Sequence, residues 1–123
     1  MKTSLLDLAA RVLLGAIFLL AGFDKILDYA GTQEYMAMFG VPGMLLPAVI
    51  AVEILGGLSL ILGVKARWGA IALAGFTLIA GLLFHADFGD QNELNHFLKN
   101  LAIIGGLLMV ALHGAGQWRL GPN

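Results

Sequence analysis

Four long runs of apolar residues divide the chain, at about residues 5–26, 43–62, 68–85 and 97–112. None of them alternates with the two-residue period of a half-buried strand. A hydrocarbon core of about 30 Å requires about 20 apolar residues in a helix, and a helix satisfies its own backbone hydrogen bonds in lipid. The pattern therefore predicts an all-α polytopic membrane protein, a four-helix bundle that forms a single domain over residues 1–123.

The connection between the first two spans, residues 24–42, is long for a turn. From Thr32 to Phe39 its residues suit a short helix with Thr32 as N-cap and Gly40 as stop. Tyr35 and Phe39 are four residues apart and would share one face at the level of the lipid headgroups. We expect a short interfacial helix here, and an irregular loop is the alternative.

Basic residues are distributed unevenly among the connections. Lys2, Lys65, Arg67 and Arg119 lie in the amino end, the second connection and the tail, whereas the first and third connections are mainly acidic. By the positive-inside rule both termini are cytoplasmic, which an even number of spans also requires. Asp7 lies in what would be the n-region of a signal peptide, and no small-x-small cleavage site follows the uninterrupted apolar stretch 12–23, so we expect a retained helix and not a signal peptide.

The composition agrees with a membrane protein and excludes several classes. Of the 123 residues 59% are hydrophobic and only 12% are charged, against about a quarter charged in an ordinary soluble domain. The chain has no cysteine, which excludes disulfides, thiolate catalysis, zinc ribbons and iron–sulfur clusters. With a net charge of −1 the chain lacks the positive electrostatic potential that attracts nucleic acid.

The third connection contains the residue types that bind metals: His85, Asp87, Asp90, Glu93 and His96. Their spacing matches no compact ligand motif, and a solvated acidic loop is the commoner reason for such residues. We therefore predict no metal site. Haem is disfavoured as well, because about 25 Å of helix rise separates His96 from His113.

Glu53 is the most informative polar residue of the sequence. It lies near the middle of the second apolar run, where an unpaired charge costs about 2.5 to 3.5 kcal/mol on insertion scales. Gly56 and Gly57 follow on the same helix face, and such small residues allow another helix to approach closely. We therefore expect the Glu53 carboxylate to point into the bundle, towards a basic or polar partner from another span.

The first helix offers a candidate partner. One seam, with spacings of three and four residues, contains Arg11, Gly15, Phe18, Gly22 and Lys25 and is expected to face the bundle. Arg11 would lie about 9 Å inside the cytoplasmic boundary, and its long side chain can extend along the helix. We therefore take Arg11 as the first candidate partner of Glu53.

The third and fourth runs add polar residues at their outer ends. His85 shares a helix face with Thr77 and Gly81, and Lys99 and Asn100 begin the fourth run. If these faces turn inward, they form a polar cluster with Glu53. Within it we predict catalytic roles for three residues (Glu53, His85 and Lys99) and ligand binding by five (Arg11, Glu53, His85, Lys99 and Asn100).

The alternative is a structural role for the same residues. Arg11 and Lys99 are near enough to helix ends to extend into the headgroup layers, and Asn100 could simply hydrogen-bond across helices. The ionic residues would then fix the register of the helices without binding a ligand.

Taken together, short motifs along nearly the whole chain resemble the DoxX family of small bacterial membrane proteins. They are Phe18 with Gly22 and Lys25, Gly40-Val41-Pro42, Glu53 before Gly56-Gly57, Gly63 with Arg67, Phe84-His85, Lys99-Asn100-Leu101 before Gly105-Gly106-Leu107-Leu108, and Gly114-Ala115-Gly116. The resemblance implies a multi-pass four-helix bundle in the bacterial inner membrane, embedded in the lipid bilayer. It implies that Glu53, Arg67, His85, Lys99 and Asn100 match the polar pattern of the family. The tail departs from it, with Gln117-Trp118-Arg119-Leu120 where the family often has Ser-Leu-Asp.

The resemblance also implies a direction for function, since members are often named as oxidoreductases or quinone-linked subunits. The first hypothesis is a redox-associated subunit that binds a quinone between its helices and works with membrane redox partner proteins, because the chain shows no redox centre of its own. The second is a non-enzymatic assembly module. The third is a small-solute or proton pathway, for which four helices would need to form a homo-oligomer.

Overall fold

A computed structural model describes residues 2–84, 87 and 89–122, and every regular element in these ranges is helical. The elements are α1 (Lys2–Leu27), α2 (Tyr29–Met38), a 3-10 turn (Gly43–Leu45), α3 (Leu46–Leu62), α4 (Ala66–Phe84) and α5 (Gln91–His113). α1, α3 with its preceding turn, α4 and α5 are long and apolar enough to cross a membrane. The prediction of four long apolar helices is confirmed.

α5 begins at Gln91, well before the predicted residue 97. The Asp90 carboxylate caps it by accepting hydrogen bonds from the backbone N–H groups of Asn92 at 2.8 Å and Glu93 at 3.4 Å. The first turns of α5 are polar, so the apolar run shows where a membrane could lie but not where the helix starts.

The connection between α1 and α3 contains a short helix, α2, which begins at Tyr29 with Asp28 in the N-cap position. The prediction of Thr32 as the N-cap is wrong. Thr32 lies inside the helix, and its hydroxyl donates to the backbone carbonyl of Asp28 at 2.8 Å, a bond to the preceding turn that Thr often makes within helices. α2 ends at Met38, and Gly40 follows with a φ of 75°, the left-handed conformation that favours glycine after a helix.

α1 and α3 pack antiparallel with their backbones in contact. A Cβ added to Gly15 would lie 2.7 Å from the carbonyl oxygen of Gly57, and one added to Gly57 would lie 2.8 Å from that of Gly15. The predicted seam of α1 faces this contact: Arg11, Gly15, Phe18 and Gly22 are buried, and Lys25 is partly buried. α3 packs on α4 and α4 on α5, whereas α1 meets α5 over a short stretch only.

The apolar core fills one end of the bundle, where α1 begins and α3 ends. Its buried members are Phe18, Leu60, Ala66, Ala70, Leu73, Ala74, Leu107, Val110 and Ala115. The opposite end, where α1 ends and α3 begins, encloses the cavity described below. The two halves of the bundle therefore differ in packing.

The tail after α5 folds back across the packed end. The backbone N–H of Leu120 donates to the carbonyl of Leu62 at 2.9 Å, and the Ser4 hydroxyl donates to the Gln117 side chain at 3.0 Å. The Arg11 guanidinium donates to the carbonyl of Trp118. These bonds attach residues 114–122 to both α1 and α3.

Candidate functional site

A cavity of about 520 Å³ lies in the loosely packed half of the bundle, within the range of about 300–1,000 Å³ typical of small-molecule sites. Its walls are mainly apolar and come from all five helices and the 3-10 turn. The apolar lining residues are Ile17, Phe18, Ala21, Met36, Val41, Leu45, Val49, Phe76, Ile79, Ala80, Leu83, Phe84 and Ile103. The polar ones are Lys25, Thr32, Tyr35, Glu53, Thr77 and Asn100.

Glu53 is buried, with 3% of its surface exposed, and faces this cavity. Its Oε1 lies 2.8 Å from Nζ of Lys25 on α1. The pair forms because Gly22, three residues before Lys25, brings α1 close to α3: a Cβ added to Gly22 would lie 2.6 Å from the Ile54 side chain. A basic partner from another helix was expected for Glu53, and the structure has one.

The expected identity of that partner, Arg11, is wrong. The Arg11 guanidinium donates to the carbonyl of Leu60 at 3.0 Å, at the end of α3, and to that of Trp118 in the tail. In the antiparallel register Arg11 lies opposite this end of α3, and the seven residues from Glu53 to Leu60 correspond to about 10 Å of helix rise. Arg11 therefore satisfies carbonyls that α3 leaves without partners, and it has no place among the described residues that line the cavity.

The remaining predicted site residues do not all lie at the cavity. Asn100 lines the cavity together with Glu53 and Thr77. Lys99 is exposed on α5, and the described lining does not include it. His85 lies outside the described residues. The structure thus brings together Glu53 and Asn100 and separates them from Arg11 and Lys99.

Three aromatic rings pack together near the end of α2, and two of them, Tyr35 and Phe84, line the cavity. The ring centroids of Tyr35 and Phe39 are 5.0 Å apart, as their shared face predicted, and those of Tyr35 and Phe84 are 5.5 Å apart. Burial, with a smaller contribution from the negative charge of Glu93, raises the pKa of Tyr35 above its ordinary value. The phenol therefore remains a neutral hydrogen-bond donor at the edge of the cavity.

A shallower, more polar depression adjoins the cavity on the side of α1 and α2. It is lined by Ala21, Asp24, Lys25, Asp28, Gly31, Thr32 and Tyr35. Lys25 lines both spaces, and its side chain is 29% exposed whereas that of Glu53 is 4% exposed. Lys25 therefore lies between an accessible polar surface and a buried carboxylate.

Sequence reasoning missed Lys25 as a site residue, although it placed Lys25 in the correct seam. The missing information was the register of α1 on α3, which decides whether Arg11 or Lys25 lies opposite Glu53. The close approach of Gly15 to Gly57 sets this register. The pattern of residues on one helix alone does not specify its register on another helix.

Comparison with known proteins identifies the family of the chain and agrees with a membrane location. The DoxX family model matches residues 6–86. Inner membrane protein YqjF of Escherichia coli K12 is 45% identical over 113 residues, which cover 92% of this chain and 87% of the relative. Inner membrane protein YphA of the same organism is 34% identical, over 89% of this chain and 83% of the relative.

A more distant relative carries a name that refers to chemistry. The Bacillus subtilis strain 168 protein named "Putative oxidoreductase CatD" is 29% identical over 94 residues, which cover 74% of this chain and 69% of the relative. No solved structure matches the chain significantly. With four helices able to span a bilayer and inner-membrane relatives, the chain is a multi-pass inner-membrane protein, and it belongs to the DoxX family.

Proposed function

We propose that this protein is a redox-associated membrane subunit that binds a quinone-like molecule in the cavity beside Glu53. The observation that carries the proposal is a cavity of about 520 Å³ with apolar walls and a few convergent polar groups. A quinone ring has two apolar faces and carbonyl oxygens that accept hydrogen bonds. The Lys25 ammonium, the Asn100 amide and the Tyr35 hydroxyl are donors of the kind those oxygens need.

The ion pair supplies the proton chemistry in this proposal. Reduction of a quinone to a hydroquinone consumes two electrons and two protons. The Lys25 ammonium donates a proton to a quinone oxygen, directly or through Glu53, and regains it from water in the depression that it also lines. Two such transfers supply both protons. The electrons come from a flavin or from the redox centre of a partner protein, since the chain has no cysteine ligands of its own. The name of the Bacillus subtilis relative supports a redox association.

The orientation in the membrane is part of the same proposal. Both termini and the connection with Lys65 and Arg67 face the cytoplasm, because these segments hold Lys and Arg while the other connections are mainly acidic. The cavity then lies in the outer half of the bundle. α2, with Tyr35 and Phe39 on one face, lies along the outer membrane surface.

Binding of a quinone analogue to the purified full chain in detergent tests the proposal, with isothermal titration calorimetry as the readout. We expect Glu53→Gln and Asn100→Ala to weaken binding about tenfold each, which is about 1.4 kcal/mol for the loss of a polar contact. Lys99→Ala is the matched control, since Lys99 is exposed and outside the described lining. Absence of binding to the native protein, or equal affinity in all three variants, refutes the proposal.

A specific observation favours the assembly module as a second candidate. The Lys25–Glu53 pair and the Gly15–Gly57 contact both join α1 to α3, so the pair could serve only to fix how these helices meet. In that case the protein has no ligand to lose, and Asn100→Ala, which leaves the α1–α3 contact intact, would not change the binding of a quinone analogue. Variants of the ion pair would then change stability alone.

A further inference from the structure

Two residues that line the cavity are also half exposed. Ile17 of α1 has 49% of its surface exposed, and Ile79 of α4 has 59% exposed. Both lie inside segments long and apolar enough to cross a membrane, several residues from the ends of their helices. At this depth the exposed part of a side chain contacts acyl chains and not water. The lining of the cavity therefore reaches the interior of the bilayer at each of these isoleucines.

The packing of the helices explains this opening. α1 packs along α3, but it meets α5 over a short stretch only. One point of this contact is Gly106, where an added Cβ would lie 3.2 Å from the Leu14 side chain. Ile17 lies nearly one turn beyond Leu14, on the cavity side of this contact, and it lines the cavity.

We infer that the cavity opens sideways into the hydrocarbon core and that its ligand is a tailed amphiphile that arrives from within the bilayer. The inference rests on the proposed function and deepens it. The small polar head lies at the Lys25–Glu53 pair, and the flexible apolar tail leaves past Ile17 into the lipid. A cavity of about 520 Å³ then holds the head and the first part of the tail, with no upper limit on tail length.

Cysteine labelling tests the opening without any quinone. The chain has no cysteine, so Thr77→Cys places a single thiol at a buried position that lines the cavity. The protein is reconstituted into phospholipid vesicles at about pH 9, where thiolate is abundant. It is treated with N-dodecylmaleimide, which dissolves in the bilayer, or with a sulfonated maleimide, which does not. We expect the lipid-dissolved reagent to label the thiol faster than the sulfonated one.

Narrowing the opening gives the matched comparison. Ile17→Trp, added to Thr77→Cys, is expected to slow labelling by N-dodecylmaleimide at least tenfold. Leu13→Trp is the control, because Leu13 is 75% exposed on the same helix and is not among the described lining residues. Circular dichroism of each variant verifies that the helices are retained.

Three results would overturn the sideways opening, and a fourth would separate it from the proposed function. Equal labelling rates in Ile17→Trp and Leu13→Trp overturn the sideways opening. So does labelling by the sulfonated reagent alone, or a thiol that reacts with N-dodecylmaleimide only after denaturation in SDS. If the opening is found but quinone analogues do not bind, the proposed function fails while the inference stands for another tailed amphiphile.

Discussion

Removing the cation of the Lys25–Glu53 pair is the most direct perturbation of the site. Lys25→Met keeps the length of the side chain and leaves Glu53, whose side chain is 4% exposed, without its ion-pair partner. Loss of one member of a buried pair costs about 3–5 kcal/mol. Because the Lys25 side chain is 29% exposed, solvent screens the pair, and we expect a smaller cost of about 2–3 kcal/mol.

The reverse change is expected to cost less. Glu53→Gln leaves the Lys25 ammonium beside the polar depression that it lines, where water can solvate it, and we expect a loss of about 1 kcal/mol. In the double variant Lys25→Met/Glu53→Gln no charge remains buried. The cost of the double change should therefore fall short of the sum of the two single costs by at least about 1 kcal/mol.

Equilibrium unfolding by SDS in mixed micelles, followed by far-UV circular dichroism, measures these free energies. Lys99→Met is the matched control, since it removes an exposed lysine, and it should change the free energy of unfolding by less than about 0.5 kcal/mol. Additive single costs would refute an energetic coupling between Lys25 and Glu53. A coupling of the same size between Arg11 and Glu53 would refute the assignment of the partner.

Two further predictions follow from the packing and from the pKa of Tyr35. Gly57→Ala should lower the free energy of unfolding by about 1–3 kcal/mol through overpacking, because its Cβ would lie 2.8 Å from the Gly15 carbonyl oxygen. In the same SDS titration Gly75→Ala, with open space around its Cβ, should stabilise by up to about 1 kcal/mol. Because the pKa of Tyr35 is raised in the folded protein, the neutral phenol stabilises the fold. This contribution is fully present below the ordinary tyrosine pKa of about 10, and it is lost as the pH rises through the pKa of the folded protein. Ultraviolet titration of the phenol should show this raised pKa, and Glu93→Gln should lower it; an ordinary pKa for Tyr35 in the folded protein would contradict the prediction.

Much of the architecture follows from the sequence because the bilayer imposes it. Apolar runs of about 20 residues are needed to cross the hydrocarbon core, so their number and order predict the long helices. The seam of α1 follows in the same way, since small residues such as Gly15 and Gly22 allow close approach of helices. The structure buries both of them.

The site is less accessible to sequence reasoning because it depends on relations between helices. Arg11 and Lys25 lie on the same face of α1, and only the register on α3 decides which of them reaches Glu53. Lys99 and Asn100 are neighbours on α5, about 100° apart around the helix axis, so only the rotation of α5 decides which one faces the cavity. Register and rotation come from packing, and the sequence of one helix does not specify them.

The bond between Arg11 and the Trp118 carbonyl has a consequence for biogenesis. These residues are 107 positions apart, and translation at about 5–20 residues per second needs roughly 5–20 s to produce the second after the first. Until Trp118 has been made, the guanidinium has no acceptor in the tail, and the Leu60 carbonyl becomes available only about halfway through that interval. A nascent chain stalled before residues 114–122 would therefore expose an incompletely satisfied cation to the insertion machinery and to quality-control proteases.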